Sequence, residues 1–191
     1  MKRGMKWLTA ASLVLCAVCT GLYFAGFDWA ISFAITFGTF LYHFAMRLLV
    51  GYVVDRIMNN HADYTKEWYQ LHPFETRVYR FLKVKKWKGK MPSYEPSLFD
   101  PRLHSWDEIA QAMCQAEVVH EVIIVLSFLP LLAVIPFDSF GVFLITSLLA
   151  ACFDLCFVIM QRFNRPRVLK CVRLSEKASA NRRKTDAQME S

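Results

Sequence analysis

Three sets of ionisable side chains lie within stretches of this chain that are otherwise apolar. His43 and Arg47 are four residues apart, while His120 and Glu121 follow Glu117 at distances of three and four residues. Residues at these spacings share one face of an α-helix. Ionisable groups are costly inside a membrane-spanning helix, so they normally face a bundle interior or a wet cavity. Each set is therefore a candidate for binding or catalysis.

Asp154, Gln161 and Arg165 form the third set, because separations of seven and eleven residues are close to whole helical turns. Asp154 lies about two turns inside its apolar segment. An unpaired carboxylate at that depth would be protonated or would pair with an Arg. The three sets reach a similar depth, and we predict that they meet in a cavity open to one side of the membrane.

His120 is the candidate general base, since an imidazole with a pKa of about 6.5 accepts a hydroxyl proton at neutral pH. Glu117 would orient its ring. The same spacing also suits an ordinary ion pair, and Arg47 could instead extend its charge to the membrane surface. A metal site of His120, Glu117 and Glu121 has no second imidazole nearby in sequence and no His-Glu-x-x-His pattern, so we predict no metal.

Four apolar segments must position these residues. At about 1.5 Å per residue, helices of this length cross a hydrocarbon core of about 30 Å. The first segment could be read as a signal peptide, but no convincing small-residue cleavage site follows it. We predict an all-α integral membrane protein with a single domain over residues 1–173 and spanning helices near residues 7–27, 29–54, 117–137 and 139–161.

The basic residues are distributed asymmetrically about these segments. All 23 Lys and Arg fall on one side, and the short connections around Asp28 and Asp138 contain none. This positive-inside pattern predicts a multi-pass cell-membrane protein with both termini and the middle loop in the cytoplasm. Topology and anionic headgroups then explain the net charge of +7, so we expect membrane lipids as partners and no nucleic acid.

The middle loop, residues 55–105, predicts an interfacial segment rather than a simple linker. Between Phe74 and Leu82, apolar residues recur at helical spacing among basic ones, as an amphipathic helix on a membrane surface requires. The following string, KVKKWKGKMP (83–92), places five lysines around Trp87. It suits either attraction to lipid headgroups or a phosphate-binding edge for a substrate.

Two further boundaries can be predicted. Ser105 followed by Glu108 fits a capping box, so the third long helix is predicted to begin near Trp106. The tail, residues 174–191, is polar and basic without apolar periodicity. We predict that this tail is disordered.

Three strings in a fixed order resemble a known family. They are KVKKWKGKMP (83–92), AEVVH (116–120) and QRFNRPR (161–167). Together they resemble the glycosyl-diaponeurosporenoate acyltransferases of the staphyloxanthin pathway, over about residues 74–168. The resemblance implies a small membrane enzyme that moves a fatty acyl group from acyl-CoA or an acyl carrier protein to a sugar hydroxyl of a lipid-linked acceptor, with no other cofactor.

The resemblance also implies roles for the candidate residues. His120 would remove the acceptor proton, Glu117 would fix the tautomer of His120, and Asn164 or the Arg groups would stabilise the oxyanion. Five basic residues would hold the phosphates of the donor: Arg162, Arg165, Arg167, Lys86 and Lys88. The other predicted substrate-binding residues are Trp87, Gln161, His43, Arg47 and Asp154.

The chain departs from the family pattern in two respects. Its first two helices have no clear counterpart, and Asp154 stands where an Asn is expected, so a carotenoid glycoside is not assumed as the acceptor. Two other functions stay open. One is a non-enzymatic lipid-binding or partner-stabilising protein, and the other is an enzyme acting on another lipid.

Overall fold

The structure is a computed structural model that describes residues 2–92, 94–137 and 139–189. It is 83% helical, and no strand occurs in these three ranges. Four helices are long and apolar enough to cross a membrane, which confirms the predicted all-α membrane class. In chain order the helices are α1 (Lys2–Phe24), α2 (Ala30–Met58), α3 (Pro73–Phe81), α4 (Val84–Trp87), α5 (Trp106–Leu126), α6 (Val134–Phe137) and α7 (Phe140–Met189).

The chain forms two compact units, and α5 and α7 contribute residues to both. The described residues of the first unit fall within Met1–Asn59, Pro92–Tyr94 and Val118–Val158. Those of the second unit fall within Asn60–Met91, Glu95–Glu117 and Ile159–Ser191.

In the first unit, α1 and α2 pack against each other as a hairpin. Gly26 lies in their connection with φ of +96°, a conformation that glycine adopts without the clash of a side chain. The thiol of Cys16 in α1 lies 3.6 Å from the carbonyl oxygen of Ala34 in α2. The two helices therefore approach closely along small residues.

The apolar core of the first unit joins α2 to α5. Met46, Val50 and Val54 recur at helical spacing on α2 and are buried together with Ile123 of α5. At the edge of this cluster, the Tyr42 hydroxyl donates a hydrogen bond of 2.8 Å to a carbonyl of α5, that of Leu126. This packing fixes the α2 face that carries His43.

The third predicted span, residues 117–137, differs in shape from the prediction. Its helix begins earlier, at Trp106, as the capping box predicts: Glu108 N donates to Ser105 Oγ over 3.2 Å, and Ser105 N donates to Glu108 Oε2 over 2.8 Å. After Leu126 the chain changes to a 3-10 turn at Leu129–Ala133. Pro130 explains the break, since proline lacks the N–H that a continuing α-helix needs.

Helix α7 extends well beyond the predicted span at residues 139–161. Where the sequence predicts a disordered tail from residue 174, the structure has helix to Met189, with every side chain from Arg173 to Gln188 exposed. Local helix propensity sustains this segment, because its side chains are not packed against a core. The predicted connection around Asp138 and the end of the predicted tail, residues 190–191, lie outside the described residues.

In the second unit, α3 is amphipathic with its polar face turned inward. Glu75 and Tyr79 are buried, whereas Phe74 and Phe81 are 63% and 84% exposed. A helix in water would bury the opposite face. An exposed apolar stripe beside basic residues is the arrangement predicted for an interfacial segment.

Candidate functional site

A buried carboxylate of the first unit accepts hydrogen bonds from two basic side chains. Asp154 of α7 is 1% exposed. Arg47 of α2 donates a hydrogen bond to its Oδ2, and His120 Nδ1 of α5 lies 2.8 Å from its Oδ1. Three helices thus meet at one carboxylate, as the depth argument predicts for His120, Arg47 and Asp154. Each charge has an opposite partner, which a buried ion pair requires.

The contact with Asp154 determines what His120 can do. A carboxylate oxygen only accepts, so Nδ1 carries the imidazole proton and Nε2 keeps its lone pair. The ring is stacked on Phe157, with centroids 4.5 Å apart and planes 6° apart. Its side chain is 21% exposed. The imidazole is therefore oriented by a carboxylate and keeps one basic nitrogen for a ligand.

The carboxylate beside His120 is not the one that the sequence predicts. Glu117 lies three residues before His120, but its two oxygens accept hydrogen bonds from Arg162 and Arg165 in the second unit. Glu117 is fully buried, and the paired arginines balance its charge. Asp154 takes the orienting position that the sequence predicts for Glu117.

Arg47 is held by both of its neighbouring helices. Its Nη1 donates to the His43 carbonyl oxygen of its own helix over 3.0 Å. Its Nη2 donates to the Ala150 carbonyl of α7 over 3.3 Å, in addition to Asp154. The guanidinium therefore joins α2 to α7 and positions the carboxylate that His120 contacts.

His43 is buried on the same face of α2, one turn before Arg47. The residue is 4% exposed, and neither ring nitrogen has a hydrogen-bond partner within the described residues. Buried polar groups in proteins are normally satisfied. The sequence predicts a substrate contact for His43, and the structure shows a buried ring whose polar atoms have no partner among the described residues.

The second unit contains a separate ion-pair cluster, centred on Arg162. Arg162 binds Glu75 with two N–H groups, at 2.7 and 2.8 Å, and Glu117 with a third, at 2.6 Å. Its other two N–H groups donate to the carbonyl oxygens of Trp68 and Gln70, both at 2.9 Å. A guanidinium has five N–H donors. In this arrangement Arg162 has none left for the donor phosphate that the sequence predicts.

Glu75 is the second carboxylate of this cluster, and the sequence patterns did not predict it. Burial opposes its ionisation, but hydrogen bonds from Arg162, the Tyr79 hydroxyl and the His72 backbone outweigh burial and lower its pKa to about 2. Burial and the bond to Glu75 raise the pKa of Tyr79. The sequence feature that could have identified Glu75 is an acidic residue in the first turn of a predicted amphipathic helix.

Arg165 is as deeply buried as its partner Glu117. It is 1% exposed, donates to the Tyr69 carbonyl over 2.8 Å, and lies over the Tyr69 ring at 5.2 Å. Its Nε has no partner within the described residues. Gln161, one turn earlier on α7, is also buried. These contacts fit a packing role for Arg165, and its predicted phosphate contact stays a prediction.

A more accessible basic group surrounds Phe163. Lys88 donates a hydrogen bond to Asn164 Oδ1, and Lys88 Nζ and the Arg167 guanidinium lie 4.9 and 5.0 Å from the Phe163 ring centre. Burial, and then the charges of Arg167 and Lys85, lower the pKa of Lys88. Two cations this close form a site where an anion would be favoured.

Other predicted binding residues lie beside this group in sequence. Lys86 is exposed, whereas Trp87 is half-buried and donates its indole N–H to the Leu82 carbonyl over 3.0 Å. Trp87 thus bonds to the C-cap residue of α3. Substrate contacts by Lys86, Trp87 and Lys88 stay predictions.

The fold and these contacts define a multi-pass helical membrane protein with a His–Asp–Arg cluster inside its spanning part. The family of this chain follows from its sequence. Residues 65–174, more than half of the chain, match the family described as glycosyl-4,4'-diaponeurosporenoate acyltransferase, and the chain belongs to this family of acyltransferases. The resemblance predicted from the three strings is confirmed. Neither the curated proteins nor the solved structures gave a match.

Proposed function

We propose that this chain transfers a fatty acyl group from a thioester donor to a hydroxyl group of a lipid-linked acceptor. The observation that carries the proposal is the 2.8 Å contact between His120 Nδ1 and Asp154 Oδ1, within an acyltransferase-family chain. A carboxylate-oriented imidazole is the general base that acyl transfer to a hydroxyl requires. The transfer needs no resident cofactor.

The proposed step begins when His120 Nε2 accepts the proton of the acceptor hydroxyl as its oxygen attacks the thioester carbonyl carbon. A C–O bond forms, and the resulting oxyanion collapses with cleavage of the C–S bond. The imidazolium then returns the proton to the departing thiolate, so the products are an ester and a free thiol. Asp154 stabilises the imidazolium, and Arg47 is a positioning residue that acts through Asp154.

The donor is an acyl-CoA or an acyl carrier protein, both of which carry phosphate. The group around Lys88 and Arg167 supports this choice, because close cations at an accessible surface attract a phosphate. Stabilisation of the oxyanion by Asn164 is a separate prediction, with Asn164→Ala as its test. The family description supports a glycosylated acceptor.

The orientation of the chain is also part of the proposal. Both termini and the basic middle loop face the cytoplasm, where acyl-CoA and acyl carrier protein are made. The support is the concentration of all 23 Lys and Arg on that side.

Comparative lipid mass spectrometry tests the function. Membranes of cells expressing the wild type, His120→Ala or His104→Ala at equal protein levels are compared, with candidate glycolipid acceptors supplied. His104 is a matched control, because it is partly exposed and pairs with Glu108 on the surface. We expect one species heavier by a fatty acyl group with the wild type and His104→Ala, and its loss with His120→Ala.

A non-enzymatic lipid-binding protein is the competing class, and one observation favours it for part of the chain. The Arg162 cluster uses polar groups to hold helix α7 to α3, without a free donor. If all three proteins gave identical lipid profiles, the same explanation would extend to His120 and the proposed transfer would be rejected.

A further inference from the structure

His43 is buried in the first unit, and its two ring nitrogens are unpaired in the part of the chain that the structure describes. Within the described residues, Nδ1 and Nε2 both lack a hydrogen-bond partner, although the residue is 4% exposed. Leaving a buried polar group unpaired destabilises a protein. A bound ligand that pairs with the ring would remove this cost.

The polar neighbours of His43 on α2 already have other hydrogen-bond partners. The Thr39 hydroxyl donates to the Ile35 carbonyl over 2.8 Å, and the Tyr42 hydroxyl donates to Leu126. Arg47 is directed to Asp154 and to carbonyl oxygens. No rearrangement of one of these groups would satisfy His43 without breaking an existing bond.

A second unsatisfied group lies on α7 in the same unit. The Ser147 hydroxyl is fully buried and also lacks a partner within the described residues. Four spanning helices alternate in direction, so α2 and α7 cross the membrane in the same sense. His43 precedes Arg47 by about 6 Å along α2, and Ser147 precedes Asp154 by about 10 Å along α7. Both groups therefore lie on the same side of the Arg47–Asp154 pair.

The chemistry of a neutral imidazole narrows the class of ligand. One ring nitrogen donates and the other accepts, and they point in different directions, so pairing both takes one accepting and one donating group. A hydroxyl group can serve as either, whereas a thioester carbonyl and a phosphate only accept. A neutral group is also less costly than an anion within a membrane-spanning bundle.

We infer that His43 binds at least one non-reacting hydroxyl of the acceptor headgroup. The inference rests on the proposed acyl transfer for the identity of the acceptor. It assigns selection of the headgroup to α2, which lies outside the family-matched residues 65–174. The reacting hydroxyl is bound by His120, and His43 selects the headgroup that carries this hydroxyl.

Binding is measured first, so that the result does not depend on turnover. The full chain, purified in a detergent without sugar groups, is titrated with dodecyl glucoside or with 1-dodecanol, and the rise in unfolding temperature is recorded. The proteins are the wild type, His43→Leu and the matched control Thr39→Val, whose hydroxyl is already satisfied. We expect the glucoside to stabilise the wild type more than dodecanol does, and Thr39→Val to keep this preference.

His43→Leu should lose the preference for the glucoside, with an affinity lower by about tenfold, the usual effect of losing one hydrogen bond. Without ligand it should be about as stable as the wild type, because the ring makes no hydrogen bond within the described residues and leucine keeps an apolar contact with Tyr42. An unchanged preference for the glucoside in His43→Leu, or a marked loss of stability without ligand, would overturn the inference.

Turnover then separates this inference from the proposed function. With palmitoyl-CoA as donor, His43→Leu should raise KM for the glucoside about tenfold and leave KM for the donor unchanged. Glucoside binding that depends on His43, without ester formation by the wild type, would reject the transfer and keep the binding site. Ester formation with an unchanged KM for the glucoside in His43→Leu would keep the proposed transfer and reject the binding site.

Discussion

At the scale of single residues, two arginines of this chain have different tasks. Arg47 pairs with Asp154, and through this carboxylate it is connected to the imidazole of His120. Arg162 is shared between Glu75 and Glu117 and uses all five N–H groups on protein oxygens. Changes at Arg47 should therefore affect turnover, whereas changes at Arg162 should affect stability.

Arg162→Lys tests whether the contacts of Arg162 stabilise the fold. A lysine keeps the charge but lacks the planar fork that binds two carboxylates and two carbonyls. Breaking a buried ion-pair cluster costs on the order of 3 kcal/mol or more. We expect a lower midpoint of denaturation in detergent for Arg162→Lys and no change for Arg173→Lys, which is exposed. Equal midpoints for the three proteins would show that the cluster does not stabilise the fold.

At the scale of elements, α3 is held by its polar face. Glu75 joins α3 to α7 through Arg162, and the same carboxylate accepts the Tyr79 hydroxyl within α3. The apolar face of α3 is left exposed, with Phe81 at 84%. The attachment of α3 to α7 therefore depends on the ionisation of the Glu75 carboxylate.

Acid should weaken that attachment. The folded-state pKa of Glu75 is lowered from 4.5 to about 2, so its ionised form stabilises the native state. This contribution is complete above about pH 5 and is lost as the pH falls toward about 2. Denaturation midpoints between about pH 7 and about pH 3 should fall for the wild type. Glu75→Gln should be less stable at neutral pH and less sensitive to acid, and parallel curves would contradict this account.

Across the whole molecule, sequence patterns predicted the features of the fold that depend on the length and composition of a segment. The four spanning helices follow from apolar runs, and the start of α5 follows from Ser105 and Glu108. The partner of His120 could not be predicted from helical spacing. Asp154 lies 34 residues away, and only tertiary packing decides whether it or Glu117 reaches the ring. The burial of Glu75 was not predicted from the sequence, because an interfacial helix turns its polar face toward the protein.

The orientation of the molecule is open to a direct test. In a variant without native cysteines, single cysteines are placed at Asp28 and at Lys184, and intact cells are treated with a membrane-impermeant thiol reagent. We expect Asp28→Cys to be labelled at once and Lys184→Cys only after permeabilisation, because basic segments stay in the cytoplasm. The opposite labelling would invert the topology and move the donor-binding residues away from acyl-CoA.

The rate of acyl transfer by Asp154→Asn tests whether the pairing of Asp154 with His120 drives the reaction. An asparagine still occupies the site but does not stabilise the imidazolium or fix the tautomer, as a carboxylate does. Because this change leaves Arg47 without its counter-charge, Arg47→Gln with Asp154→Asn serves as the charge-balanced control.

We predict that both proteins fold, that kcat falls by roughly a thousandfold in each, and that KM for the donor changes little. A kcat within about twofold of the wild type in the charge-balanced variant would contradict the proposed mechanism.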